Sequence, residues 1–163
     1  GTTINPRLAG KGFLSNTIGN PLDTTIALQH LIFEGTLDRF PGLRVAFLEA
    51  GCGWAPYWVE RLHEHWERRG AEMPGLLRDP YEFFRGGRCF VGAEPQEVMV
   101  PGAVAVLGDG ALMFASDYPH SDSTWPHSKD TAVKLMGNLP EDVIYKLVRG
   151  NAIKMLDLDF DKS

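Results

Sequence analysis

Cysteine is scarce: the chain carries two, Cys52 and Cys89, and they form no CxxC pair. That excludes a disulfide framework and leaves a buried, reduced pair as the expectation. Long apolar runs are also lacking. No stretch approaches the roughly 18 residues of a membrane span, and no charged segment followed by an apolar one opens the chain. No membrane partner is expected, and a cytoplasmic address is the default. Basic clusters are missing too, beyond the Arg68, Arg69 pair and the scattered Arg85 and Arg88. With a formal net charge of -5 there is no electrostatic footprint for a phosphate backbone, so nucleic acid is not an expected partner. Internal repeats and low-complexity tracts are absent. So is a GxSxG nucleophile elbow, and covalent catalysis has no sequence support.

What remains is an ordinary globular composition, 44% apolar and 23% charged over 163 residues, enough for one domain with a sizeable core. Residues 1–21, rich in Gly, Pro, Asn and Ser, read as an irregular N-terminal segment. From Leu22 to Phe40 apolar residues recur at helical spacing until Pro41 and Gly42 stop them. RVAFLE (44–49) reads as a strand, and 55–69 as a helix with Trp58, Leu62 and Trp66 on one stripe. Residues 70–87 read as loop with a short helical turn, and RCFVG (88–92) as a second strand. A helical segment from Glu94 and Pro95 is expected to be interrupted at Pro101 and Gly102. Residues 112–116 form a third strand, and helices over 127–136 and 140–156 close the chain, the second breakable at Gly150. This αβαβαβαα order predicts an α/β fold of about three parallel strands with flanking helices. GCGWAP (51–56) has Pro56 where a dinucleotide-binding GxGxxG needs its last glycine, which argues against a nucleotide fold.

The three predicted strands each lead to an acid: Glu49, Glu94 and Asp117. Parallel strands place such ends on one rim, where α/β enzymes carry their chemistry. Asp117, in FASDYPHSDSTWP (114–126), is the strongest candidate. It can ligate a divalent metal and take a proton from metal-bound water, or it can simply form the turn into Tyr118–Pro119–His120. His120 can orient groups at the loop or be a loop histidine bonded to backbone. Glu49 can act as ligand, base or proton relay, or be a buried acid paired with an arginine. Trp54 in the rim loop and the hydroxyls of Ser116 and Tyr118 are candidate substrate contacts, Trp54 being equally suited to core packing. The His63–Glu64–His65 run is not read as a metal site, because residues two apart on a helix face different ways and HExxH would need histidine where Glu67 stands. His30 is expected in the core or an interface, and His127 near a helix start is expected to be structural.

DRFPGLRVAFLEAGCGWAPYWVERLHEHW (38–66) together with LMFASDYPHSDSTWP (112–126) resembles the amidohydrolase-related family of metal-dependent hydrolases and decarboxylases, over about residues 21–156. The resemblance implies a (β/α)8 TIM barrel of which this chain is the C-terminal part. Residues 22–163 then belong to a single domain, RVAFLEAG and RCFVG being its sixth and seventh strands. It implies Asp117 as metal ligand and proton acceptor after the last strand. The first five strands, with a His-x-His pair and a further histidine ligand, are expected outside this chain. Decarboxylase members carry a histidine before glycines after the sixth strand, where this chain has Glu49. The leading expectation is therefore a hydrolase acting on a small carboxylate or carbonyl compound through metal-activated water, with zinc first and manganese as an alternative. In this chain alone binding of the ion is expected to be weak or absent. A non-oxidative decarboxylase and a non-catalytic structural or interaction fragment are the other readings. Exposed strand edges predict a homo-oligomer or completion by the remainder of a barrel.

Overall fold

A computed structural model describes residues 12–73 and 75–159, apart from the Leu14 side chain. Its centre is an open sheet of three parallel strands in the order β1–β2–β3: Val45–Phe47, Cys89–Ala93 and Leu112–Phe114. Val45 stands opposite Cys89 and Phe47 opposite Val91, while Val91 and Ala93 face Leu112 and Phe114. Every residue of β2 is buried, as a central strand covered on both faces requires. The expected parallel α/β architecture is thus present. Cys52 and Cys89 are both buried and free.

Helices flank the sheet throughout. A turn α1 (Gly12–Leu14) and a π-turn (Ser15–Gly19) lead into α2 (Asn20–Phe33), followed by the short α3 (Thr36–Arg39). The crossover from β1 to β2 carries α4 (Trp54–Arg69) and α5 (Pro80–Arg85), and that from β2 to β3 carries α6 (Val100–Leu107). After β3 come α7 (Ser128–Met136), α8 (Glu141–Tyr145), a π-turn (Lys146–Gly150) and α9 (Asn151–Leu156). The core gathers Leu28 and Ile32 of α2, Val59 of α4, Phe84 of α5 and Leu107 of α6 with the strand residues. Among the described residues no helix is long and apolar enough to cross a membrane.

Four local expectations need correction. Residues 12–21 are helical rather than irregular; residues 1–11 lie outside the described part. Glycine and asparagine disfavour a helix by only about 1 kcal/mol each. Here Pro21 sits in the first turn of α2, where its missing N–H costs nothing, and Thr17, Thr24 and Thr25 donate to the carbonyls of Phe13, Asn20 and Pro21. In α4 the buried stripe is Ala55, Val59 and Leu62, with Trp58 and Trp66 only partly covered. Pro101 does not interrupt a helix. It lies in the first turn of α6, and residues 95–99 are turn. Finally, 140–156 bulges through the π-turn at Lys146–Gly150 instead of breaking at Gly150.

Asn151 joins the last helix to the sheet. Buried at 3% exposure, its Nδ2 donates to the carbonyls of Asp109 (2.8 Å) and Leu112 (2.7 Å), at the entry to β3. Lys146 adds an ion pair to Asp109 at 2.6 Å. Asn151→Ala strips two carbonyls of their shared donor, so guanidinium unfolding should show a loss of about 1–3 kcal/mol. A loss below about 0.5 kcal/mol would mean that solvent replaces the amide freely.

Candidate metal centre

The three parallel strands leave the sheet at the same edge, and the chain turns sharply at two of the exits. Glu49 follows β1 by two residues at φ +63°, and Asp117 follows β3 by three at φ +59°. A non-glycine residue in this left-handed region costs roughly 1–2 kcal/mol, so the surroundings must hold both acids there. Around Asp117 that support is visible. The Ser116 carbonyl accepts from Ser123 Oγ (2.8 Å) and Thr124 N (3.0 Å), and Thr124 Oγ1 donates to Ser128 Oγ (2.9 Å). These bonds fold residues 116–124 into a closed loop.

That loop brings together Asp117, His120 and Asp122, each with one potential ligand atom within 4.8 Å of the others. His120 Nδ1 lies 3.0 Å from Asp117 Oδ2, and its backbone N–H donates to the Asp117 carbonyl at 2.9 Å. Two carboxylates and an imidazole are a donor set suited to zinc or manganese, so the residues present fit a divalent ion. No thiol competes. Burial pushes the Cys89 thiol up to about 12, while burial and then the neighbouring Glu97 charge raise that of Cys52.

The other two exits contribute more carboxylate. Glu94 is held above the ordinary carboxylate range, first by burial and then by the charges of Glu49, Glu97, Asp117 and Asp122. Among the described residues none of these five acids forms an ion pair with a lysine or arginine; Asp117 has His120 alone. Glu49, Glu94 and Glu97 line a pocket of about 550 Å³ with Asn16, Thr17 and Asn20. The rim is therefore an uncompensated acidic surface beside a polar cleft.

Of the residues picked from sequence, Asp117, Glu49 and His120 do reach this rim. Glu49 is exposed, not a buried acid paired with arginine. Ser116 serves the loop through its carbonyl, and Tyr118 is exposed with its ring edge-on to Trp125, centroids 5.7 Å apart. Trp54 is part of the scaffold: its Nε1 donates to the Gly51 carbonyl at 2.9 Å, and its ring meets Phe47 edge-on. His63 pairs with Asp79 at 3.0 Å, while His65 Nδ1 donates to the Arg61 carbonyl at 2.8 Å, so the two do point apart. His30 is not in the core; its side chain is 66% exposed and bonded to Glu34. Asp122, Glu97 and the asparagines were not singled out from sequence. Asp122 carried a signal, since it lies five residues past Asp117 in the same polar loop.

A profile of the family described as "Amidohydrolase" matches residues 8–158. A curated relative, 2-amino-3-carboxymuconate-6-semialdehyde decarboxylase of Dictyostelium discoideum, is 26% identical over 149 residues, which are 89% of this chain and 40% of that protein. The chain thus spans about two fifths of that relative's length. Among solved structures, 5-carboxyvanillate decarboxylase from Sphingomonas paucimobilis superposes with a TM-score of 0.74 at 23% identity, covering 96% of this chain and 46% of that one. A dihydroxybenzoic acid decarboxylase from a Polaromonas species, with bound manganese and the inhibitor 2-nitroresorcinol, gives a TM-score of 0.66 at 18% identity, covering 97% and 49%. At these identities the superpositions speak for the fold: the open three-stranded sheet and its helices match part of a TIM barrel.

The raised Glu94 proton affinity gives a stability prediction for metal-free protein. A carboxyl whose folded pKa lies above its unfolded value stabilises fully below about pH 4, and that contribution is lost as pH rises through the folded value. Glu94→Gln should therefore unfold at higher temperature than the parent at pH 7 in EDTA, the gap closing towards pH 4. An equal gap at both pH values would show that the fold does not raise the proton affinity of Glu94.

Proposed function

The chain belongs to the amidohydrolase family, and we propose that its protein is a metal-dependent, non-oxidative decarboxylase of a small carboxylic acid. The relatives' names favour this reading over hydrolysis, which the residue at Glu49 suggested from sequence. The observation that carries it is the gathering of Asp117, His120 and Asp122 beside an acid-lined pocket at one end of a parallel sheet. A surface this negative repels a carboxylate substrate unless a cation lies between them. When bound, a divalent ion supplies that attraction and Lewis acidity toward the substrate's carboxylate or a neighbouring oxygen.

Asp117, Asp122 and His120 would hold the ion, extending the expected role of Asp117 and giving His120 a ligand's place. Glu49 and Glu94, on the wall of the adjoining pocket, hold and move the proton. In decarboxylation the bond to the departing CO₂ breaks, its electron pair stays on carbon, and a proton must arrive there. Asn16 and Asn20 offer amides that can bond to substrate oxygens at the far wall. Manganese and zinc both suit the donor set. Among the described residues β1 and β3 each have one unpaired edge. Pairing of those edges, with a further segment of barrel or another copy of the chain, covers exposed backbone groups and encloses the site.

The test is product analysis with manganese or zinc and a panel of hydroxylated aromatic acids, dihydroxybenzoic acid included. Release of CO₂, reduced at least about 100-fold in Asp117→Asn, supports the proposal. Turnover of esters, amides or lactones without CO₂ restores the hydrolase reading. Absence of both turnover and ion retention favours a structural fragment. Manganese at about 100 times its dissociation constant should also stabilise the protein by about 2.7 kcal/mol, and Asp117→Asn should lose most of that gain. An undiminished gain in the variant would place the ion elsewhere.

A further inference from the structure

We infer that Glu97 is a positioning residue that clamps the rim loops carrying Glu49 and Glu94; this rests on the function proposed above. Glu97 Oε1 accepts from the backbone N–H of Cys52 and of Gly53, both at 2.7 Å. Its Oε2 accepts from Cys52 N at 2.8 Å and from Glu94 N at 3.2 Å. One carboxylate therefore ties the loop after β1 to the end of β2.

Of the N–H groups it takes, that of Gly53 is one that a helix start leaves without an intrahelical partner. Cys52 and Gly53 directly precede the sixteen-residue α4, whose N-cap, Gly53, has no side chain to offer. Glu97 reaches over from the next βα loop and caps that helix, where its negative charge also meets the positive end of the helix dipole. The sequence makes room for it. A Cβ on Gly51, whose φ is +64°, would lie 2.6 Å from Glu97 Oε1, and one on Gly53 would lie 3.3 Å from the same atom. The two glycines of Gly51–Cys52–Gly53 thus admit the carboxylate and present bare amides to it.

Because both oxygens are engaged by backbone, Glu97 is poorly placed to ligate an ion or carry a proton, although it lines the same pocket. Its effect passes through its neighbours. Glu49, strained two residues before Gly51, and Glu94, whose own N–H it holds, form the acid wall of that pocket. Releasing the clamp lets both drift while leaving Asp117, His120 and Asp122 on their separate loop.

The experiment compares Glu97→Ala and Glu97→Gln with the parent protein. Amide hydrogen exchange at Cys52, Gly53 and Glu94 should quicken at least 10-fold in Glu97→Ala, with exchange in β2 and at residues 116–124 unchanged. Manganese affinity should stay within about 3-fold. kcat for CO₂ release should fall at least 30-fold with KM moving less than 5-fold, and Glu97→Gln, which keeps one accepting oxygen, should recover part of it. Unchanged exchange at the three amides overturns the clamp, whatever the activity. Quickened exchange with full kcat, in a parent that releases CO₂, overturns the positioning role. If the parent releases no CO₂, the decarboxylase reading fails and exchange alone judges the clamp. Should Glu97→Ala not fold, the same exchange and kinetic criteria apply to Glu97→Gln.

Discussion

Parallel pairing sends the chain out of β1, β2 and β3 at the same edge of the sheet, and each exit leads to an acid within three residues. The rest of the rim follows from managing that convergence. Burial first, and then the charges of Glu49, Glu97, Asp117 and Asp122, hold the Glu94 carboxyl above the ordinary carboxylate range. Two of the three acids also occupy left-handed backbone. Repulsion and strain together are a cost the fold must offset elsewhere, through the buried β2, the closed 116–124 loop and the Glu97 carboxylate. Left-handed backbone at these strand ends persists only because the surrounding structure holds it.

Much of this was legible in the sequence because parallel sheets follow simple rules. Short apolar runs without alternation gave the strands, crossover-length spacings gave their direction, and direction put Glu49, Glu94 and Asp117 on one rim. Electrostatic coupling among them in the structure agrees. The illegible parts share a physical cause. Glu97 acts through backbone amides of a loop 44 and 45 positions earlier, so no local pattern announces it. Residues 12–21 carry residue types of low helix propensity, yet they are helical because the turn Gly12–Leu14 and the π-turn Ser15–Gly19 run directly into α2. His30, among apolar neighbours, reads as a core or interface residue, but its side chain is mostly exposed and meets Glu34.

The split between a scaffold half and a chemical half runs through the rim itself. Trp54 and Glu97 are committed to shaping the first loop, one by meeting Phe47 edge-on and bonding Gly51, the other by capping α4. Asp117, His120 and Asp122 form a compact donor group on the third loop, dependent on Ser116, Ser123 and Thr124 for its shape. Between them Glu49 and Glu94 stay free of cationic partners among the described residues. In the proposed function a divalent ion would be the counter-charge for this rim and would let a chain of net charge -5 meet an acidic substrate.

The claim that this rim holds a divalent ion is tested most directly by paramagnetic broadening of the amide spectrum with substoichiometric manganese. The account predicts loss of signal centred on residues 117–122 and spreading across the cleft to Glu49 and Glu94. Broadening centred instead on the acids of α4, Glu60, Glu64 and Glu67, with the 117–122 loop left sharp, would contradict it.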